Sequence, residues 1–170
     1  MINIANQEIS YISFLSQVGW LTLFEKSKKI ISVEWRKEKN HSESPLLTEA
    51  HQQLTEYFNK KRKNFTVPLE LTGTNFQKSV WYNISEIPYG KTNTYGEIAK
   101  KLNSAARAIG GACGKNPIPI FIPCHRVMGA NDKLTGFSGG SGVKTKEALL
   151  HLETPVKYTI NEFQFVEDKK

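Results

Sequence analysis

Thr94-Tyr-Gly-Glu-Ile-Ala-Lys-Lys-Leu-Asn-Ser-Ala-Ala-Arg-Ala-Ile-Gly-Gly-Ala-Cys113 decides how the second half of this chain folds. Thr94 followed three residues later by Glu97 is a capping box, in which each side chain satisfies an otherwise orphaned backbone amide. A helix therefore opens at 95 and runs to about 102, Asn103-Ser104 makes a turn, and a second helix covers Ala105 to Cys113. A short helix, a tight turn and another helix form the helix-turn-helix plan. Apart from Arg107 and Ile109, the first eight residues of that last helix are all Ala or Gly. So flat a surface suits either close packing by another helix or close approach to a nucleic-acid groove. Arg107, the one long charged side chain on it, favours the groove, where an Arg is able to replace a displaced base.

Upstream, Thr74-Asn-Phe-Gln77 is a second capping box, and Phe76, Val80, Trp81 and Ile84 form one stripe of a helix over 75 to 86 that stops before Pro88-Tyr-Gly90. Before it, Val18 to Phe24 and Ile30 to Trp35 are strand-like runs rich in β-branched and aromatic residues. Leu46 to Phe58 has apolar residues at helical spacing, then the basic run Lys60 to Lys63, which reads as a solvated helix end rather than a DNA contact. Phe65 to Leu71 reads as an edge strand because of Pro68. The expected class is α+β. A small N-terminal sheet with one helix (1–72) precedes a mostly helical, winged helix-turn-helix-like segment (73–154). In the extension 155–170, alternating Tyr158, Ile160, Phe163 and Phe165 suit an added strand or a docked tail.

Composition narrows the function classes. A chain of 170 residues with 39% hydrophobic content supports a packed core, and its apolar runs fall short of the roughly 20 residues of a membrane helix. No basic-then-apolar leader opens the chain, so a cytoplasmic protein is expected, nucleoid-associated if bacterial. Two cysteines, Cys113 and Cys124, without a CxxC pair or a Cys/His cluster point to neither a disulfide framework nor a metal, and no cofactor is expected. The net charge is +7, and its excess sits in residues 73–153, with ten Lys/Arg against five Asp/Glu. That distribution suits a polyanionic partner.

Downstream, Asn116-Pro-Ile-Pro-Ile-Phe-Ile-Pro-Cys-His-Arg-Val127 reads as a proline-punctuated strand carrying a thiol, an imidazole and a guanidinium in succession. The thiolate is the sulfur nucleophile, and neighbouring positive charge favours it. Adjacent strand side chains point to opposite faces, so contact between Cys124 and His125 needs a turn or a bridging water. Taken alone, Cys124 reads first as a buried structural cysteine and only second as a nucleophile, and Cys113 reads as a small packing residue.

From Gly73 to Glu153 these blocks, together with Phe76-Gln-Lys-Ser-Val-Trp81, Ile87-Pro-Tyr-Gly90 and Gly136-Phe-Ser-Gly-Gly140, resemble the O6-alkylguanine-DNA alkyltransferase family and its Pro-Cys-His-Arg-Val signature. The resemblance implies a ribonuclease H-like N-terminal domain. It also implies direct, single-use transfer of an alkyl group from O6-alkylguanine, and from O4-alkylthymine, in double-stranded DNA to Cys124. By the same resemblance His125, oriented by Glu153, draws the thiol proton through a water; Asn116 pins the turn below the site; Tyr95 donates to the departing guanine. Ser138 binds O6, the carbonyls of Cys124 and Val127 accept the exocyclic amine, and Phe137, where relatives often have Tyr, walls the pocket. Arg107 is the implied finger, with Ala105, Ala106, Ala108 and Gly110 against the minor groove and Thr94 and Arg126 also on DNA, bound by a monomer. Two other classes remain: a lesion-binding or regulatory helix-turn-helix protein in which Cys124 is inert, and a cysteine hydrolase, for which no oxyanion motif is visible.

Overall fold

In the computed structural model, residues 8–155 are described; all but the first residue of the expected C-terminal extension lies outside them. The N-terminal half opens with three antiparallel strands in sequential order: β1 (Ser10–Ser16), β2 (Gly19–Lys26) and β3 (Lys29–Glu34). β1 escapes the sequence reading because its alternation is carried by serines, of which Ser13 is buried against the Thr22 hydroxyl at 2.7 Å. The β2–β3 turn places Ser27 and Lys28 at φ 53° and 60°, the left-handed pair whose twist matches that of the flanking strands.

Leu21 and Leu23 of β2, fully buried, face helix α1 (Pro45–Phe58), which buries Leu47, Ala50, Leu54, Tyr57 and Phe58 in return. Each of the buried Leu and Phe side chains contributes about 1.5–3 kcal/mol of transfer free energy. Ser44 caps α1 by accepting from the Leu47 amide at 3.0 Å, and Pro45 fills a first-turn position where no amide partner is needed. Residues 65–71 do not form the expected strand. They make a single parallel bridge, with the Ile30 amide donating to the Pro68 carbonyl and the Glu70 amide to the Ile30 carbonyl, both at 2.9 Å. Pro68 has no N–H with which to extend a ladder.

In the second half, α2 (Asn75–Ser85) and α3 (Tyr95–Lys101) start at the two capping boxes, each with both reciprocal hydrogen bonds present. The turn after α3 holds Asn103 at φ 49°, and α4 (Ala106–Gly114) begins one residue later than expected. α2 anchors α4 through the Trp81 indole N–H, which donates to the Ala112 carbonyl at 2.9 Å. Two short parallel strands, β4 (Asn93–Thr94) and β5 (Val127–Met128), tie the start of α3 to the Pro-Cys-His-Arg block, and α5 (Val143–Glu153) closes the site. The block itself is not a strand. With three prolines unable to donate to a ladder, residues 116–123 turn instead, Ile120 reaching φ 75°, and a 3-10 turn spans Cys124–Arg126.

The halves share an interface: the Val33 amide donates to the Pro117 carbonyl at 3.0 Å, and Trp35 meets Phe137 edge-on at 5.9 Å. Gly139 and Gly140 make room for that indole, since a Cβ on either would lie 2.5 to 2.8 Å from it.

Candidate active site

The 3-10 turn does what a strand would not: it places Cys124 and His125 on successive corners with both side chains buried. Cys124 borders a cavity of about 350 Å³ shared with Trp35, Cys113, Asn116, Phe137 and Ser138. That volume lies at the small end of the range for small-molecule sites. Asn116 holds the turn from below. Its amide donates to the Ile122 carbonyl at 2.9 Å and to Cys124 Sγ at 3.3 Å, and its Oδ1 accepts from the Ile118 amide at 3.0 Å.

Burial pushes the Cys124 thiol up, against the Asn116 hydrogen bond and the charge of Lys146, which favour the thiolate. Desolvation disfavours the anion, so a thiolate here needs a base to take its proton. Burial likewise holds the His125 imidazole below its ordinary value, opposed by Glu153 and reinforced by Arg126 and Lys146. The ring is neutral and competent as a base.

Glu153, at the end of α5, is the most heavily hydrogen-bonded group here. Its Oε1 accepts from Tyr57 Oη at 2.8 Å, His125 Nε2 at 2.7 Å and Arg126 Nη2 at 3.0 Å; its Oε2 accepts from the Gly90 amide and Arg126 Nε, each at 3.0 Å. Burial opposes its ionisation, but His125 and Arg126 outweigh burial and hold the carboxyl well below the usual range. An ionised carboxylate only accepts, so Nε2 of His125 carries the hydrogen between them. Nδ1, buried and with no protein hydrogen-bond partner among the described residues, keeps the free lone pair.

Arg126, expected on the DNA surface, is instead buried: besides Glu153 it donates to the Ile87 carbonyl at 2.7 Å. Its charge is needed to compensate the buried carboxylate. The Val127 carbonyl, expected to accept a guanine amine, already accepts from the Lys146 ammonium, although its second lone pair is left for a ligand. Thr94 spends its hydroxyl as the cap of α3, accepting from the Glu97 amide at 3.1 Å. Tyr95 donates weakly to the carbonyls of Thr135 and Gly136 at 3.3 and 3.4 Å. Burial and the two cysteines push its phenol up, so it stays protonated. Ser138 is exposed and donates to the Gly114 carbonyl at 3.4 Å.

At the N-cap and first turn of α4, Ala105, Ala106, Arg107 and Ala108 are exposed together, while Ile109, Ala112 and Cys113 turn inward onto α2 and α3. Helix packing therefore occupies the opposite face, and the small-residue surface is open. Gly110 has nothing within 4 Å of where a Cβ would stand.

Three site residues escape the sequence reading. Lys146, fully buried, donates to the carbonyls of Val127, Thr135 (2.7 Å) and Gly136 (3.3 Å), clamping the loop before α5 to β5. Desolvation lowers its pKa to about 8. Its signal was present: Lys146, Leu149, Leu150 and Glu153 share one helical stripe. Tyr57 and Trp35, from the first half, carried none.

Two family models match the chain: the DNA-binding domain of 6-O-methylguanine DNA methyltransferase over residues 75–155 and its ribonuclease-like domain over 9–71. A methylated-DNA–protein-cysteine methyltransferase of Methanosarcina acetivorans is 46% identical over 153 residues, 84% of this chain and 97% of that one. The constitutive enzyme of that name from Bacillus subtilis is 43% identical over 145 residues, 82% of this chain and 80% of its own. Among solved structures, Mycobacterium tuberculosis OGT in complex with DNA superposes with a TM-score of 0.76 at 41% identity, covering 85% of this chain and 92% of that one. No helix among the described residues is long and apolar enough to cross a membrane.

Proposed function

The chain belongs to the 6-O-methylguanine DNA methyltransferase family, and from that premise we propose that Cys124 is the sulfur on which its transfer ends. The protein is a DNA-binding transferase of direct-reversal repair, moving an alkyl group from DNA to one of its own cysteines. The observation that carries the assignment to Cys124 is its burial next to His125 in one 3-10 turn, with His125 held to Glu153 at 2.7 Å and its Nδ1 without a hydrogen-bond partner among the described residues.

In the proposed step His125 Nδ1 takes the thiol proton through a bridging water, and Sγ attacks the alkyl carbon of O6-alkylguanine. A carbon–sulfur bond forms as the carbon–oxygen bond breaks, and the electron pair stays on the purine, where the Tyr95 phenol supplies a proton. Glu153 remains the anion that stabilises the imidazolium, as in a hydrolase triad. The thioether has no route to hydrolysis, so each molecule acts once.

Residues 73–154 would bear this chemistry and 1–72 support it. The exposed Ala105–Ala108 face would lie in the minor groove with Arg107 filling the space of the flipped nucleotide. Ser138 and Phe137 would line the guanine pocket. The protein would work as a monomer in the cytoplasm, and O4-alkylthymine would enter the same pocket.

Incubation with duplex DNA containing O6-methylguanine, followed by intact-mass and peptide analysis, tests the assignment. One methyl on the Cys124 peptide supports it. Tight binding without a mass change favours a lesion-binding protein with an inert cysteine.

A further inference from the structure

The Glu153 carboxylate is served from both halves of the molecule. Gly90 and Arg126 belong to the second half, but the 2.8 Å hydrogen bond to Oε1 comes from Tyr57 at the end of α1, 96 residues away. Tyr57 is fully buried, wedged among Phe58, Phe65 and Tyr89 at centroid distances of 5.4, 5.5 and 6.0 Å. Its hydroxyl also lies 3.5 Å from His125 Nε2. Packing alone would be met by Phe; the hydroxyl is there to donate.

We propose that Tyr57 is a positioning residue of the transfer, its hydroxyl donating to Glu153 Oε1 and so holding the carboxylate against His125 while tempering its pull on a second imidazole proton. The inference rests on the Cys124–His125–Glu153 reading above. The phenol has one proton, and the carboxylate holds it, so Tyr57 has none to offer Nε2. If Nε2 lacked its own hydrogen it would set a lone pair against Oε1 at 2.7 Å, which is repulsive. The hydroxyl also spreads part of the Oε1 charge, leaving less to pull a second proton onto the imidazole. The N-terminal half thereby reaches into the reaction centre instead of serving only as a support.

Other charged and titratable groups around the pair are constant in the comparison that follows: Arg126 on both carboxylate oxygens, Lys146 toward the ring, and Tyr89, whose hydroxyl donates to the Leu152 carbonyl at 3.4 Å. Removing the Tyr57 hydroxyl concentrates charge on Oε1 and raises the pH at which His125 takes a proton and ceases to be a base.

The test is the pH dependence of single-turnover methyl transfer from O6-methylguanine DNA to the full-length protein, for wild type and Tyr57→Phe. The acidic limb of the variant should move upward by about half to one pH unit, the worth of one hydrogen bond. The rate then falls several-fold along the acidic limb while approaching wild type on the alkaline side of it. Replacing Tyr57 by 3-fluorotyrosine, which keeps shape and strengthens the donor, should move the limb the other way and serves if the Phe variant folds poorly. A loss equal at every pH, or no loss, overturns the inference. His125→Asn and Glu153→Gln run alongside: if they leave the profile unchanged, the relay reading itself fails, whereas a response from them without one from Tyr57→Phe refutes only the role of Tyr57.

Discussion

Glu153→Gln changes one oxygen for one nitrogen and should nonetheless be among the costliest substitutions in the chain. The carboxylate accepts from Tyr57, His125, Gly90 and Arg126. A glutamine has one accepting oxygen and two donor hydrogens. With its nitrogen at the Oε1 position it faces the donors of Tyr57, His125 and Arg126; at the Oε2 position it faces the Gly90 amide and Arg126 Nε. Either way the Arg126 guanidinium, only 5% exposed, is left without a counter-charge. Breaking a buried pair on one side costs about 3–5 kcal/mol, a large part of the roughly 5–15 kcal/mol that holds a domain folded. Urea denaturation at pH 7.5 should show that loss. The transfer rate should fall by about 10²–10⁴, because the general base loses both its orientation and the anion that stabilises its charged form. The stability difference should also depend on pH with a definite sign. The folded-state pKa of Glu153 lies below the ordinary 4.5, so its contribution is complete above that value and fades as pH falls toward the folded pKa. Wild type and variant should converge in acid. Equal stability at pH 7.5 with a rate within twofold of wild type would refute the reasoning.

Cys124→Ala should abolish methyl uptake by intact mass, whereas Cys113→Ala, removing a buried thiol that burial pushes up to about 12, should retain it. Arg107→Ala should slow transfer from duplex DNA by about tenfold or more while leaving reaction with free O6-alkylguanine base unchanged, since flipping costs a few kcal/mol; equal losses on both substrates would count against a finger. Gly139→Ala sets a methyl 2.5 Å from the Trp35 ring and should cost about 1–3 kcal/mol as overpacking, read as a lowered urea midpoint. Lys146→Met frees the Val127 carbonyl of β5 and the Thr135 and Gly136 carbonyls of the loop before α5, and should both lower stability, by about 1–3 kcal/mol, and increase proteolytic cleavage near Gly136.

Much of this molecule was legible along the chain wherever the deciding interactions join residues three or four apart. The capping boxes at Thr74 and Thr94 set the starts of α2 and α3, because reciprocal side-chain bonds to orphan amides are written in adjacent positions. The run 105–113 shows a small-residue helix with one Arg, and the Pro-Cys-His-Arg block carries the thiol and imidazole proposed as nucleophile and base. Where the reading went astray, partners were distant or turns outweighed pattern. Residues 65–71 and 116–123 look like strands by composition, but prolines deny them a ladder. Arg126 looks like a DNA cation by type. Only the packing of α5 against the 3-10 turn brings Glu153 beneath it and commits its charge inward. Tyr57 and Trp35 belong to an N-terminal half whose sequence carries no chemical motif, and their contacts with Glu153 and Phe137 exist only once the sheet, α1 and α5 close on one another. Sequence alone determined which side chains bring chemistry, because nucleophilicity and basicity belong to residue types. Tertiary structure decided which of them are buried, charged and aimed, because desolvation and hydrogen-bond partners belong to the space between elements.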